Sequence, residues 1–278
     1  MCTEPLQLMP IQKWKDLKSA ALSDWLRSIS MYTLIETEEH ILELGINYGF
    51  KVYCPYGDVN NGIVALNVKN QLYEVIVQCP KDDTTNLEQA LLTTSLIDWT
   101  QPLEVPFAPV HVAECVNRII YKKNCKIDHI TMTQTFLLNK DSPLFDLSLA
   151  PELSFERLTL DCVNLVNTTW PHKIPGSEWY FELLIKANLG YGLFKSGELI
   201  AWSFIKEMGA LGHLYTVENH RRKGYGELVL KLISNILLND NKCVFAYCIA
   251  GNVKASNLYK KLGFASVLNV HWCNFVPN

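Results

Sequence analysis

The stretch Gly209-Ala-Leu-Gly-His-Leu-Tyr-Thr-Val217, Glu218-Asn-His-Arg-Arg-Lys-Gly-Tyr-Gly226, Glu227-Leu-Val-Leu-Lys-Leu-Ile-Ser-Asn-Ile-Leu-Leu238 decides how the chain is read. An apolar strand enters a turn with glycines at 224 and 226, and the turn opens an apolar helix. No acidic residue stands beside the glycines before Glu227. A helix start of this kind presents unpaired N–H groups and the positive end of the helix dipole, which suits a phosphate anion. Arg221, Arg222 and Lys223 supply three cations just ahead of it. The pattern lacks the third glycine of the dinucleotide fingerprint and the Gly-Lys-Ser/Thr ending of a nucleotide loop. An ordinary solvated strand-to-helix turn would share these features, so a second motif has to decide.

About 25 residues on, Cys243-Val-Phe-Ala-Tyr-Cys-Ile249 reads as a strand ended by Ala250-Gly-Asn252, and Val253 to Leu262 as a short amphipathic helix closed by Gly263-Phe264. The pair Arg221-x-x-Gly224-x-Gly226 and Asn252…Leu258-Tyr259-x-Lys261-Leu262-Gly263-Phe264 resembles the GCN5-related N-acetyltransferase (GNAT) superfamily, whose members use acyl-coenzyme A. The likeness covers residues 150 to 278. Within it, His213-Leu-Tyr-Thr-Val217 looks most like the glycine N-acyltransferase-type branch.

The resemblance implies a reaction that moves an acyl group from a thioester to an amine, and it assigns roles residue by residue. Leu214, Tyr215 and Thr216 offer main-chain groups to the pantetheine arm. Arg221, Arg222, Lys223, Gly224, Tyr225, Gly226 and Glu227 surround the pyrophosphate, with glycine at 224 and 226 where a Cβ would block close approach. Asn252 matches the asparagine that touches the cofactor arm, although asparagine after glycine is also an ordinary turn former. Tyr259 matches the acid that protonates the departing thiolate; on an amphipathic helix it is otherwise a half-buried aromatic.

The base is left open. Positions where the family often carries a glutamate or histidine read Ala210 and Gly212 here. His213 titrates in the useful range but can equally be a structural strand residue. Glu207 and Glu218 are further candidates, and a water chain is another route. Trp170-Pro-His172 and Ser177-Glu-Trp-Tyr180 fall where acceptor-binding helices are expected, as pocket lining or as core.

Element signals run in the same order through both parts of the chain. In the second, a strand at Leu153 to Leu158 precedes helices capped by Asp161 and opened by Ser177. Strands at 192–195 and 198–206 meet at Ser196-Gly197, a hairpin turn. The motif strand, helix, strand and helix follow, then strands near 264–267 and 270–276. In the first, helices are expected at Ile11 to Arg27 and Glu38 to Leu44, and strands at 50–53, 63–67 and 72–78. A helix capped by Thr84 or Thr85 then runs to Trp99, followed by a strand at 103–107, a helix at 109–122 and a strand at 130–138. The expectation is an α/β (α+β) mixed central sheet flanked by helices, in two tandem GNAT-like halves with the first degenerate. Residues 1–145 form the first domain and 146–278 the catalytic one. At the place of the glycine loop the first half reads Cys79-Pro-Lys-Asp-Asp-Thr-Thr85, with no glycine and two aspartates that repel a diphosphate. Its expected work is to cover the catalytic half and shape a substrate cleft.

With 278 residues, 49% hydrophobic and 19% charged, the chain can bury a core in two ordinary domains. A net charge of -3 gives no general attraction to nucleic acid or an anionic membrane. Nine cysteines without a Cys-x-x-Cys pair fit a reducing compartment and small buried hydrophobes; no metal is expected. No apolar run approaches the roughly 20 residues of a membrane helix. The terminus has no early arginine, so a cytoplasmic protein is expected, with a mitochondrial one the alternative. Expected partners are acetyl- or another acyl-coenzyme A and a small amine acceptor, with no nucleic acid or membrane.

Overall fold

The computed structural model describes residues 3–69 and 72–278. The chain divides into two compact units, one of Met1–Gln134 with Leu268–Asn278 and one of Thr135–Val267. The first half of the sequence runs β1 (Leu6–Leu8), α1 (Trp14–Ser23), α2 (Ile29–Glu43), β2 (Lys51–Pro55), β3 (Ile63–Lys69), β4 (Leu72–Gln78), α3 (Thr85–Thr93), β5 (Leu103–Ala108), α4 (Val110–Lys122) and β6 (Cys125–Leu138). The second runs β7 (Leu153–Arg157), α5 (Val163–Thr169), α6 (Glu178–Lys186), β8 (Gly190–Lys195), β9 (Glu198–Ile205), β10 (Leu211–Thr216), α7 (Tyr225–Asn239), β11 (Val244–Ile249), α8 (Val253–Lys261) and β12 (Ala265–Pro277). Strand, two helices, three strands, helix, strand, helix, strand: both halves keep the one order.

In the first unit the strands lie in the order β1-β2-β3-β4-β5-β12-β6, and in the second β6-β11-β10-β9-β8-β7. The sequence places a boundary at 145/146, whereas the compact units divide after Gln134 and return residues 268–278 to the first. Both differences sit in long strands. β6 begins in the first unit and its residues 135–138 belong to the second, while β12 does the reverse. Its later residues pair antiparallel with β5, Cys273 opposite Val105 and Phe275 opposite Leu103. The two short final strands expected near 264–267 and 270–276 are therefore this one strand, and its change of unit falls at the expected gap.

Helix α4 shows why the alternation builds a core. Val112, Ala113, Cys115, Val116, Ile119 and Ile120 recur at helical spacing and are all buried. They join Val75, Val77, Leu87 and Phe275 in one apolar cluster, each large side chain contributing about 1.5–3 kcal/mol on burial. In the second unit Val229, Leu230, Ile233 and Leu237 are the buried stripe of α7. The turn at Ser196 and Gly197 has both residues at positive φ, 49° and 85°, the primed hairpin expected there.

Other details differ from expectation. The helix expected over Ile11 to Arg27 ends as α1 at Ser23, followed by a turn with Leu26 at φ 80° in which the Arg27 Nε and the Ser28 hydroxyl donate to the Asp24 carboxylate. Helix α2 begins nine residues early. Its Thr33 and Thr37 hydroxyls donate to carbonyls one turn back, so polar β-branched residues are absorbed in a helix they ordinarily weaken. Asp161 and Ser177 do not cap by side chain. The Ser177 hydroxyl donates to Asn167, whose amide donates to Glu178, clipping α5 to α6.

Candidate active site

Strand β10 pairs antiparallel with β9, but the register shifts between Gly212 and Tyr215. His213 lies in this bulge at φ 53°, a left-handed conformation unusual for a non-glycine. On its other side β10 runs parallel to β11 with Leu211 opposite Ala246; among the described residues no further register pair follows toward Thr216. The Val217 N–H donates to the Ile200 carbonyl, so by alternation the main-chain groups of Leu214 and Thr216 face the β11 side. The Thr216 carbonyl accepts from the Arg221 Nε at 3.0 Å. Among the described residues the Leu214 amide and carbonyl and the Thr216 amide have no β11 register partner.

The chain then makes a single 3-10 turn, Glu218–His220. Arg222 at φ 61° and Gly224 at φ 81° take left-handed conformations on either side of Lys223. Gly224 is the residue before α7, with no side-chain cap on the helix. The first bond of the helix start is Leu228 N–H to Gly224 carbonyl; among the described residues the amides of 222 to 227 have no intrachain acceptor. Such a concavity of N–H groups is a binding place for a diphosphate. The two glycines act differently. A Cβ on Gly224 would meet no atom within 4 Å, so glycine serves the backbone angle and the open space for a ligand. A Cβ on Gly226 would stand 3.4 Å from Thr216 Oγ1, so glycine there lets the helix start sit close on β10.

Helix α8 starts at Asn252, whose Oδ1 accepts from the Ala255 amide at 3.2 Å. Tyr259 is buried about two turns on, stacked on Phe136 at 5.4 Å and beside Phe264 at 5.5 Å. Burial, and then the neighbouring Cys248, push its phenol well above the ordinary tyrosine range. Its hydroxyl therefore stays protonated at neutral pH.

Residues 189–273 match the family model described as FR47-like protein. A crystal structure of a Drosophila protein superposes with a TM-score of 0.87 at 21% identity, covering 99% of each chain. A tandem GNAT protein from the clavulanic acid biosynthesis pathway superposes with 0.58 at 13% identity, covering 96% of this chain and 97% of that one. A GCN5-related N-acetyltransferase of Sphaerobacter thermophilus gives 0.55 at 11% identity, over 97% and 94%. The chain has the GNAT fold, in two halves. No curated protein matches the sequence.

Within the second GNAT half, the expected cofactor residues fall into groups. Leu214, Thr216, Gly224, Tyr225 and Gly226 line the strand gap and the amide cradle. The Arg221 guanidinium is turned back on its own loop, on the Thr216 carbonyl, on Glu218 at 3.2 Å and over the Tyr215 ring at 5.2 Å. Tyr215 in turn stacks on Trp202 at 4.9 Å. The Lys223 Nζ donates to the Asn219 carbonyl, while Arg222 is exposed. The Glu227 carboxylate accepts from Lys261 at 2.5 Å and pairs with Lys231 at 2.9 Å, tying α7 to α8. That negative charge at the cradle is thereby neutralised by two cations, Lys231 one turn along α7 and Lys261 34 residues away in sequence. Chiefly through Lys261, the Glu227 pKa falls below its ordinary 4.5. A depressed carboxylate stabilises the fold above its unfolded pKa and loses that effect as pH falls through the folded one. Glu227→Gln is accordingly expected to lower the melting temperature at pH 7, and the deficit relative to the parent is expected to shrink in melts run below about pH 4.

Of the catalytic candidates, Glu218 is an exposed loop carboxylate paired with Arg221. His213 projects from the bulge among Trp170, Tyr180, Phe181 and Phe204, ring centroids 5.2–6.0 Å away. The acceptor segments named from sequence, Trp170 and Tyr180, thus meet the bulge on one sheet face. Leu214 and Thr216 approach Gly226 on the α7 face. Because Asn252 caps α8, Asn252→Ala is expected to cost about 1 kcal/mol in urea unfolding. A simultaneous loss of donor affinity would show that its carboxamide also touches ligand.

At the matching place in the first half, Thr84 precedes α3 without a side-chain cap; the Asp83 carboxylate accepts from the Thr85 amide at 3.0 Å and hydroxyl at 2.6 Å. Asp82 is ion-paired with Arg27. A helix start already occupied by its own carboxylate has no room for a diphosphate. Among the described residues no group of three or more His, Cys, Asp or Glu side chains is placed to hold a metal, and no helix is long and apolar enough to cross a membrane.

Proposed function

We propose that this protein is an N-acyltransferase that moves an acyl group from acyl-coenzyme A to a small primary amine, an amino acid such as glycine among the candidates. The observation that carries the reading is the uncapped amide cradle at 222–227 opening beside the unpaired edge of Leu214 to Thr216. A diphosphate and a peptide-like arm match these two features in sequence along one ligand. In this reading the Leu214 amide receives the thioester oxygen as charge builds on it. Tyr259 supplies the proton to the leaving sulfur. One C–S bond breaks, one C–N bond forms, and the nitrogen gives up a proton. Donor binding belongs to the second unit, because Asp83 blocks the equivalent helix start in the first.

The test is incubation with acetyl-, benzoyl- and longer acyl-coenzyme A and pooled amines and amino acids, read by mass spectrometry. Amine-dependent release of free coenzyme A with one acylated product is the expected result. Calorimetric donor binding with no turnover on any amine would replace the reading with a binding protein, the role favoured by the missing side chains at Ala210 and Gly212.

A further inference from the structure

Ala210 and Gly212 leave β10 without an acidic side chain, yet a buried carboxylate stands three residues upstream. Glu207 lies in the tight connection between β9 and β10, where the Lys206 amide donates to the Ala210 carbonyl and the Gly209 amide to the Lys206 carbonyl. It is 1% exposed. The Tyr180 hydroxyl from α6 donates to Glu207 Oε2 at 2.6 Å. The Tyr180 ring is 5.6 Å from His213 and 6.5 Å from Trp170, both half-exposed. Tyr180 therefore links a carboxylate withdrawn from water to the aromatic rim beside the β10 bulge. Among the described residues, His213 from the bulge is a titratable neighbour of Tyr180, and the stem of Lys206, next to Glu207 in sequence, lies against Gly212.

We propose that Glu207, acting through the Tyr180 hydroxyl, is the proton acceptor for the incoming amine. The ammonium nitrogen gives one proton to Tyr180 Oη as the tyrosine's own proton passes to Glu207 Oε2. The amine lone pair is freed, no carbon bond changes, and no redox partner takes part. Acting through a hydroxyl accounts for a base that is not on the strand itself. The inference rests on the N-acyltransferase reading above.

Glu207→Gln keeps the side-chain volume and still accepts from Tyr180. With a strongly basic amine at neutral pH, it is expected to lower kcat by about 100-fold or more, and coenzyme A affinity by calorimetry is expected to stay within twofold. The acidic limb of the kcat/KM profile is expected to vanish. With hydroxylamine, already unprotonated at neutral pH, the deficit is expected to shrink to a few-fold, which a purely structural role would not produce. Tyr180→Phe, which removes one oxygen and keeps the ring, is expected to show the same acceptor-dependent pattern. An active parent with Glu207→Gln and Tyr180→Phe within threefold of it, or an equal loss on both amines, overturns the relay and spares the transferase reading. A parent inactive on every amine overturns both.

Discussion

Gly224→Glu is expected to weaken coenzyme A binding by at least about 100-fold in calorimetry, while the folded protein retains its far-ultraviolet spectrum. Two effects add. The carboxylate enters the concavity where the amides of 222 to 227 converge, repelling the ligand's diphosphate and competing for its N–H donors. Charge-assisted hydrogen bonds are each worth roughly 1.5–3 kcal/mol, so losing two reaches that factor. The substitution also places a Cβ at φ 81°, a conformation costing about 1–2 kcal/mol outside glycine. Gly224→Ala separates these effects. Its Cβ meets no protein atom within 4 Å, so it carries the strain without the charge and is expected to lose less than tenfold. Equal affinity in the parent and Gly224→Glu would remove the cradle from the account, and with it the main support for an acyl-coenzyme A enzyme.

The cradle was legible in sequence because its parts are local. A strand, two glycines and a helix start lie within 30 residues, and each follows from the chain's own backbone rules. The hairpin at Ser196-Gly197 was legible for the same reason. What escaped depends on residues far apart. Arg221, read from sequence as a neighbour of the pyrophosphate, also holds the Thr216 carbonyl and lies over the Tyr215 ring. Glu227 looks misplaced at an anion site until Lys261 reaches it from the next helix. Tyr180 and Glu207 were each named as candidates, but a contact across 27 residues has no local signal. Helix α2 hid behind its threonines, and the division of β6 and β12 between units left no trace in the hydrophobic pattern, because both parts of each strand alternate or bury in ordinary ways.

Tyr259→Phe is expected to lower kcat by about 100-fold while leaving donor affinity within twofold. The ring contacts with Phe136 and Phe264 need no hydroxyl, so packing survives the change. Removing one oxygen from a buried position with an apolar lining leaves stability close to that of the parent. Burial raises the phenol above its ordinary value of 10. A group shifted upward is protonated, and its contribution to stability complete, at all pH values below the unfolded pKa; both are lost only as pH rises through the higher folded value. The kcat profile is therefore expected to show no alkaline limb from Tyr259 below about pH 10. The role as an acid makes a sharper demand. A thiolate in a dry site is a strong base and a poor leaving group, so the phenol proton counts most when the thiol is weakly acidic. An acyl donor built on a more acidic thiol leaves without that proton, and with it Tyr259→Phe is expected to approach the parent in single-turnover rate. A deficit equal for both donors would assign Tyr259 to packing, and the leaving sulfur would then take its proton from water or from Cys248, whose thiol acts electrostatically on the phenol.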